Sequence, residues 1–280
     1  MKGKIIDLRL RPPIDEYRAM FPLAMASKNP PIPAWESGSS DLNLVYKEMD
    51  QAGIKAGLIH GRHVYHLQSG EDGVPLRVED DRIEQVVRES DGRFFGFAGT
   101  DLAKPMDEIL SGIDRGINQL GLKGVNVEPG HAPTPIYADH ESLTPIYEKC
   151  IELDVPVMFM TGFFCGSLTQ NDPQYFERVA FRFPKLKLLL AHGCYPYVTH
   201  AIALAVKCRN VYVSPDIYMF MPGGSMFVEA LSLRPSQFLF GTAYPFGELT
   251  SCTEKSLQFP VTEKVLEKYM YRNAERLLKL

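Results

Sequence analysis

The chain has 280 residues, 45% of them hydrophobic, enough to bury a large core in one domain. Its 30 Lys and Arg stand against 34 Asp and Glu, a formal net charge of −4, and no basic stripe is interleaved with aromatics, so nucleic acid is not an expected partner. The N-terminus lacks a signal-peptide pattern, no apolar run approaches about 18 residues, and the five cysteines include no C-x-x-C pair; the expectation is a cytoplasmic protein with reduced thiols and no membrane span.

Lys4–Leu10 reads as the first strand. A long connection follows over residues 12–40, with six prolines (Pro12, Pro13, Pro22, Pro30, Pro31, Pro33) and the single tryptophan, Trp35. Connections of this length in a compact domain are usually functional or pack as an arm, so this segment is expected to be a lid or an arm that makes a homodimer. Helix Asp41–Ala52, stopped by Gly53, leads to strand Ala56–His60 and a second long connection over 61–79 that holds Arg62, His63 and His66. Helix Asp80–Glu89, strand Arg93–Thr100, helix Pro105–Gln119 and strand Gly124–Val127 come next. They are followed by helix Ser142–Leu153, strand Val157–Met160, helix Pro173–Phe183, strand Lys187–Ala191, helix Tyr197–Lys207 and strand Val211–Ser214. A short helix, Ser225–Leu233, the strand Gln237–Phe240 and one or two closing helices within Val261–Leu280 complete the chain. Short apolar runs bounded by Gly, Pro and Asp suit strands buried on both faces. Their regular alternation with helices predicts an α/β fold, a (β/α)8 TIM barrel, as one domain over 1–280.

In such a barrel the residues at the C-terminal strand ends converge on one mouth. Arg9 and Arg11 stand there after the first strand, His60 and Arg62 after the second, Asn126 and Glu128 after the fourth. His192 follows the sixth strand, Asp216 the seventh and Tyr244 the eighth. Alternate residues of a strand share a face, so Arg9 and Arg11 should project together. Guanidinium forks grip carboxylates, which points to a small anionic substrate. An internal ion pair of Arg9 or Arg11 with Glu128 or Asp216 accounts for the same residues, and both readings stay open. His192 is the candidate proton-transfer group, His60 a weaker one, and His63 and His66 read as loop residues. Asp216 and Glu128 either share acid and base roles, orient His192 or balance an arginine; Glu128 reads as a counter-charge within the binding set, and Asp216 stays open. Tyr244 either donates to a substrate oxygen or packs as an aromatic. Cys165 and Cys194 lie near strand ends without an evident activating base.

Six segments together resemble a known family: Ile5–Arg11, Leu122–Pro129, Val155–Gly162, Phe183–Gly193, Leu239–Phe246 and Asn273–Leu278. The chain is similar to the amidohydrolase-related family that includes aminocarboxymuconate-semialdehyde decarboxylase and pyrone-dicarboxylate lactonase. That resemblance implies a metal-dependent-hydrolase type of TIM barrel. The family pattern places D-x-H-x-H after the first strand, a His after the fifth, a His after the sixth and an Asp after the eighth. Here the first motif reads Asp7-Leu8-Arg9-Leu10-Arg11, the fifth position is Met160, the eighth is Ala243, and His192 alone keeps its identity. Arginine offers no lone pair and repels a divalent ion, so no catalytic metal and no cofactor are expected. The activity implied is hydrolysis of a small carboxylated substrate at a lactone or ring C–O or C–N bond. A decarboxylase and a non-catalytic ligand-binding protein are the alternatives.

Overall fold

Runs of Val, Ile, Leu and Phe with no polar face become the inner staves of a curled parallel sheet, because only strands covered on both sides tolerate such composition. The computed structural model describes residues 1–21, 31–38, 40–65 and 76–280. Its main strands are β1 (Ile5–Asp7), β2 (Ile54–His60), β5 (Phe94–Gly99), β6 (Val125–Val127), β7 (Val157–Met160), β8 (Leu188–Ala191) and β9 (Val211–Ser214), side by side in that order. Each pairs in parallel with the next, as in Val157 with Leu188 and Leu188 with Val211. Between β2 and β5 a small antiparallel hairpin, β3 (Arg62–Val64) with β4 (Leu76–Val78), rises from the second long connection. One hydrophobic cluster runs from Ile5 to Leu278.

The eighth stave differs from expectation. Residues Gln237–Phe240 do lie between β9 and β1, but only Val213 and Phe238 form a ladder bridge. Val213 N–H donates to Gln237 O at 2.8 Å, Leu239 N–H to Val213 O at 2.9 Å, and Leu8 N–H to Phe240 O at 2.9 Å, which joins the two edges. Phe240 N–H donates instead to Tyr269 O of the closing helices, at 3.0 Å, so the segment never develops a full ladder. The sheet is therefore closed by backbone contacts, and the architecture is the TIM barrel.

Most helices fall where periodicity places them, as in Asp80–Glu89 and Pro173–Arg182. Unexpected are Leu249–Leu257, whose polar and small residues hide its periodicity, and two short helices in the proline-rich segment, Asp15–Met20 and Pro33–Glu36. Arg18 stitches those two together, its guanidinium donating to Ala34 O at 2.9 Å. Pro22, Pro30 and His66 lie outside the described residues. Among the described residues no helix is long and apolar enough to cross a membrane.

Candidate active site

Past β1 the chain stays extended. Leu8 and Leu10 use their N–H groups to bind Phe240 O and Leu58 O, one neighbour on each side, and this places Arg9 and Arg11 on the alternate face. Arg9 is wholly buried. One terminal nitrogen lies 2.7 Å from His60 Nε2 and the other 3.2 Å from His192 Nε2, while its Nε is 3.8 Å from Asp216 Oδ2. Since guanidinium only donates, both imidazoles must present their Nε2 lone pairs to it and carry their protons on Nδ1. His60 Nδ1 then faces Gly61 O at 3.1 Å, and His192 Nδ1 faces Asp216 Oδ2 at 2.9 Å, although out of line for a well-formed hydrogen bond. Asp216 Oδ2 also accepts from the His192 N–H at 3.2 Å, and Ser214 donates to Oδ1. Gly241 makes room for this carboxylate: a Cβ there would come within 2.2 Å of Asp216 Oδ1.

Arg11 is different. It is 4% exposed, yet among the described residues no carboxylate comes within ion-pair distance of it. Its closest polar contacts are long ones, 3.4 Å to Ala243 O and 3.5 Å to Tyr244 O, and its charge lies over Phe21 and Phe246, 5.3 and 5.7 Å from the ring centres. Burial and the neighbouring Arg9 charge pull its pKa down to about 9. A buried cation left in this state is unusual, because buried charges are normally paired.

The far side of the mouth holds a closed ion pair. Arg62 grips Glu128 with two bonds of 2.7 Å, and His131 Nδ1 lies 2.8 Å from the second carboxylate oxygen. Burial alone would raise the Glu128 pKa, but Arg62 and His131 overcome it and hold the carboxyl well below its ordinary value. Asn126 bridges the halves, donating to Gly61 O at 3.1 Å and Glu128 Oε1 at 3.0 Å.

Of the nine residues singled out in the sequence, eight gather at the mouth. The exception is Tyr244, whose hydroxyl donates to Glu48 at 2.8 Å and is thereby used within the fold. Arg62, rather than Arg9 or Arg11, takes Glu128, and Arg9 takes the company of Asp216. Sequence reasoning missed His131, which sits in a 3-10 turn after β6, three residues beyond Glu128, where no periodicity marks it. It also missed Tyr17, whose buried hydroxyl donates to His60 O at 2.7 Å and locks the proline-rich segment onto the end of β2. Tyr218, whose ring edge meets His192 at 5.2 Å, was missed too. Cys165 and Cys194 have thiol pKa values raised by burial, Cys194 to about 12, so neither is an activated nucleophile.

Backbone strain collects here. His192, Asp216 and Ala243, each just past a stave of the barrel, have φ of 69°, 56° and 52°. Left-handed non-glycine residues cost energy and tend to be retained where geometry at a functional site demands them. Burial and Arg9 push the His192 pKa down to about 4, and burial with Arg9 and Arg11 holds His60 well below the ordinary imidazole value, so both imidazoles are neutral near pH 7.

The residues present do not fit a divalent metal between the two imidazoles. The guanidinium of Arg9 already engages both Nε2 lone pairs, and among the described residues no cluster of three His, Cys, Asp or Glu side chains is placed to hold an ion.

The model of the amidohydrolase family matches residues 71–280. An uncharacterized TIM-barrel protein from Bordetella bronchiseptica is 33% identical, with a TM-score of 0.85 over 99% of this chain and 98% of its own. A dihydroxybenzoic acid decarboxylase from Polaromonas sp. JS666, solved with bound manganese and the inhibitor 2-nitroresorcinol, is 17% identical, with a TM-score of 0.70 over 100% of this chain and 98% of its own. A 2-keto-4-carboxy-3-hexenedioate hydratase from Sphingobium sp. is 30% identical over a stretch that covers 31% of this chain and only 30% of the hydratase.

Proposed function

The chain belongs to the amidohydrolase family, and on that premise we propose that it is an enzyme that adds water to a small carboxylated substrate, hydrolysing a lactone or a ring C–O or C–N bond without a catalytic divalent metal. The observation that carries this reading is Arg11: a buried guanidinium without a carboxylate partner among the described residues, at the mouth of a barrel. The substrate's carboxylate supplies the missing charge, meeting the guanidinium that the Phe21 and Phe246 rings support. Arg9 is committed to His60 and His192, so it contributes its field and the positions of the two rings.

His192 is the base. Its Nδ1–H is turned to Asp216, so once the 3.2 Å contact from Arg9 yields to water, Nε2 takes a proton from that water while the hydroxyl oxygen bonds to the substrate's carbonyl carbon. The Arg9 contact to this nitrogen is the longer of that guanidinium's two imidazole contacts, 3.2 against 2.7 Å. Asp216 then faces the imidazolium that forms; collapse of the tetrahedral adduct breaks the ring C–O or C–N bond, and the imidazolium gives its proton to the departing oxygen or nitrogen, which restores neutral His192. Water-based chemistry also suits the hydratase relative. Decarboxylation, which the Polaromonas neighbour performs, requires a proton delivered to carbon, and the neutral His192 facing Asp216 is arranged to accept one.

The test is a panel of carboxylated lactones, cyclic amides and hydroxybenzoates assayed after exhaustive chelation, with ring opening and CO2 release followed separately. We expect ring opening by the chelated protein, and a loss of at least about 100-fold in kcat/KM for Arg11→Met and for His192→Ala. Unchanged turnover in Arg11→Met, or activity that returns only with added zinc or manganese, overturns the reading; CO2 release without ring opening replaces hydrolysis by decarboxylation.

A further inference from the structure

Tyr218 belongs to the turn Asp216–Phe220 that opens at β9, and it is 5% exposed. Its ring cannot swing. Tyr195 stacks on one face at 4.9 Å and 23°, and the edge contacts with His192 and Phe163 lie at 5.2 and 5.6 Å. Its hydroxyl is held over Gly162, where an added Cβ would stand 2.9 Å from the Tyr218 oxygen and 3.1 Å from His192 Cδ2. The phenol oxygen and the His192 side chain thus border the same small space above Gly162. Among the described residues this hydroxyl makes no hydrogen bond, whereas Tyr17, Tyr147 and Tyr244, all at most 1% exposed, each donate one. A phenol with a packed ring, an unpartnered hydroxyl and slight solvent access is open to an acceptor oxygen of a ligand.

We propose that the Tyr218 hydroxyl is the second anchor of the substrate, donating to an oxygen at the reacting end while Arg11 holds the carboxylate at the other. This rests on the carboxylate reading of Arg11 and narrows it: the substrate carries a second oxygen acceptor a fixed span from its carboxylate, next to His192. Burial raises the phenol pKa, so Tyr218 remains a neutral donor throughout the working range. A neutral donor aimed at the reacting oxygen stabilises charge that builds there without competing with Arg11 for the carboxylate.

Calorimetric titration with phthalate, isophthalate and terephthalate, which differ only in the span between two carboxylates, reads this directly, with benzoate as the single-carboxylate control. Wild-type protein should bind one of the three dicarboxylates more tightly than benzoate. Tyr218→Phe keeps the ring and its packing; it should weaken that dicarboxylate by about 10-fold and leave benzoate unchanged, while Arg11→Met should abolish both. Loss of benzoate affinity in Tyr218→Phe would mark a structural role and overturn the proposal, as would unchanged affinity for every dicarboxylate. Unaltered binding in Arg11→Met, or no binding of any of the four by the wild type, would instead sink the carboxylate reading beneath it. Near-ultraviolet circular dichroism on both variants checks that the mouth remains folded.

Discussion

At the level of single residues the mouth is a charge ledger with one open line. Arg62 is closed against Glu128, Arg9 against Asp216 and two imidazole lone pairs, and Arg11 meets only aromatic faces and two long carbonyl contacts among the described residues. The identities of these residues were legible in the sequence because each stands at a strand end; of their pairings Arg9 with Asp216 was among those offered, while Arg62 with Glu128 was not, since partners in a barrel come from staves far apart in the chain. The partnership is testable at Glu128. Removing one member of a buried pair leaves the other charged and unmatched, typically about 3–5 kcal/mol. Glu128→Gln should therefore lower the denaturant midpoint by an amount worth about 3 kcal/mol, because it frees Arg62 beside two further arginines. The double variant Arg62→Met, Glu128→Met should recover most of that loss, and a cycle with coupling below about 1 kcal/mol would show the pair to be inessential.

Among the elements, the helix Asp80–Glu89 was legible at both ends, while the hairpin β3–β4 beside it and the helix Leu249–Leu257 were not. Three-residue strands carry no periodicity to read, and a helix of Thr, Ser, Cys and Lys has little apolar contrast. Asp80 shows what position adds to pattern. As the first residue of its helix it suits the positive end of the dipole, and its Oδ1 accepts the Gly99 N–H at 2.8 Å, tying helix to β5. Burial nevertheless raises its pKa from 3.8 to about 7. The folded state thus binds this proton more tightly than the unfolded chain does, so the group's contribution to stability is full below its unfolded pKa and is lost as pH rises through its folded one. Asp80→Asn keeps the accepting oxygen and never ionises. Relative to wild type it should be neutral in stability near pH 4 and more stable by roughly 2 kcal/mol at pH 8, about half the ceiling that such a shift sets. Equal effects at both pH values would mean that the carboxyl titrates normally.

For the whole molecule the decisive step is closure of the ring, and here sequence succeeded in outline and failed in mechanism. Gln237–Phe240 was placed correctly as the last stave, but beside the Leu8–Phe240 backbone bond a side chain also fastens this edge to β1. Asp7, wholly buried, accepts from the Thr242 N–H at 3.0 Å and the Thr242 hydroxyl at 2.6 Å, as well as from the Arg9 N–H at 2.8 Å. One carboxylate thus joins the two ends of the barrel and sets the backbone from which Arg9 projects into the mouth. Burial raises the Asp7 pKa to about 6 while the Thr242 bonds oppose the rise. Thr242→Val preserves shape and removes one bond to a charged acceptor, worth about 1.5–3 kcal/mol when the acceptor is ionised. That bond favours the carboxylate, so its loss pushes the folded pKa of Asp7 still higher, and the destabilisation must grow as pH rises through the wild-type value. Unfolding followed by denaturant should show the larger deficit at pH 7.5 and a smaller one at pH 5, where Asp7 is protonated in both proteins. A deficit that is the same at the two pH values would place the fastening elsewhere, in the backbone contacts of Val213, Leu239 and Leu8.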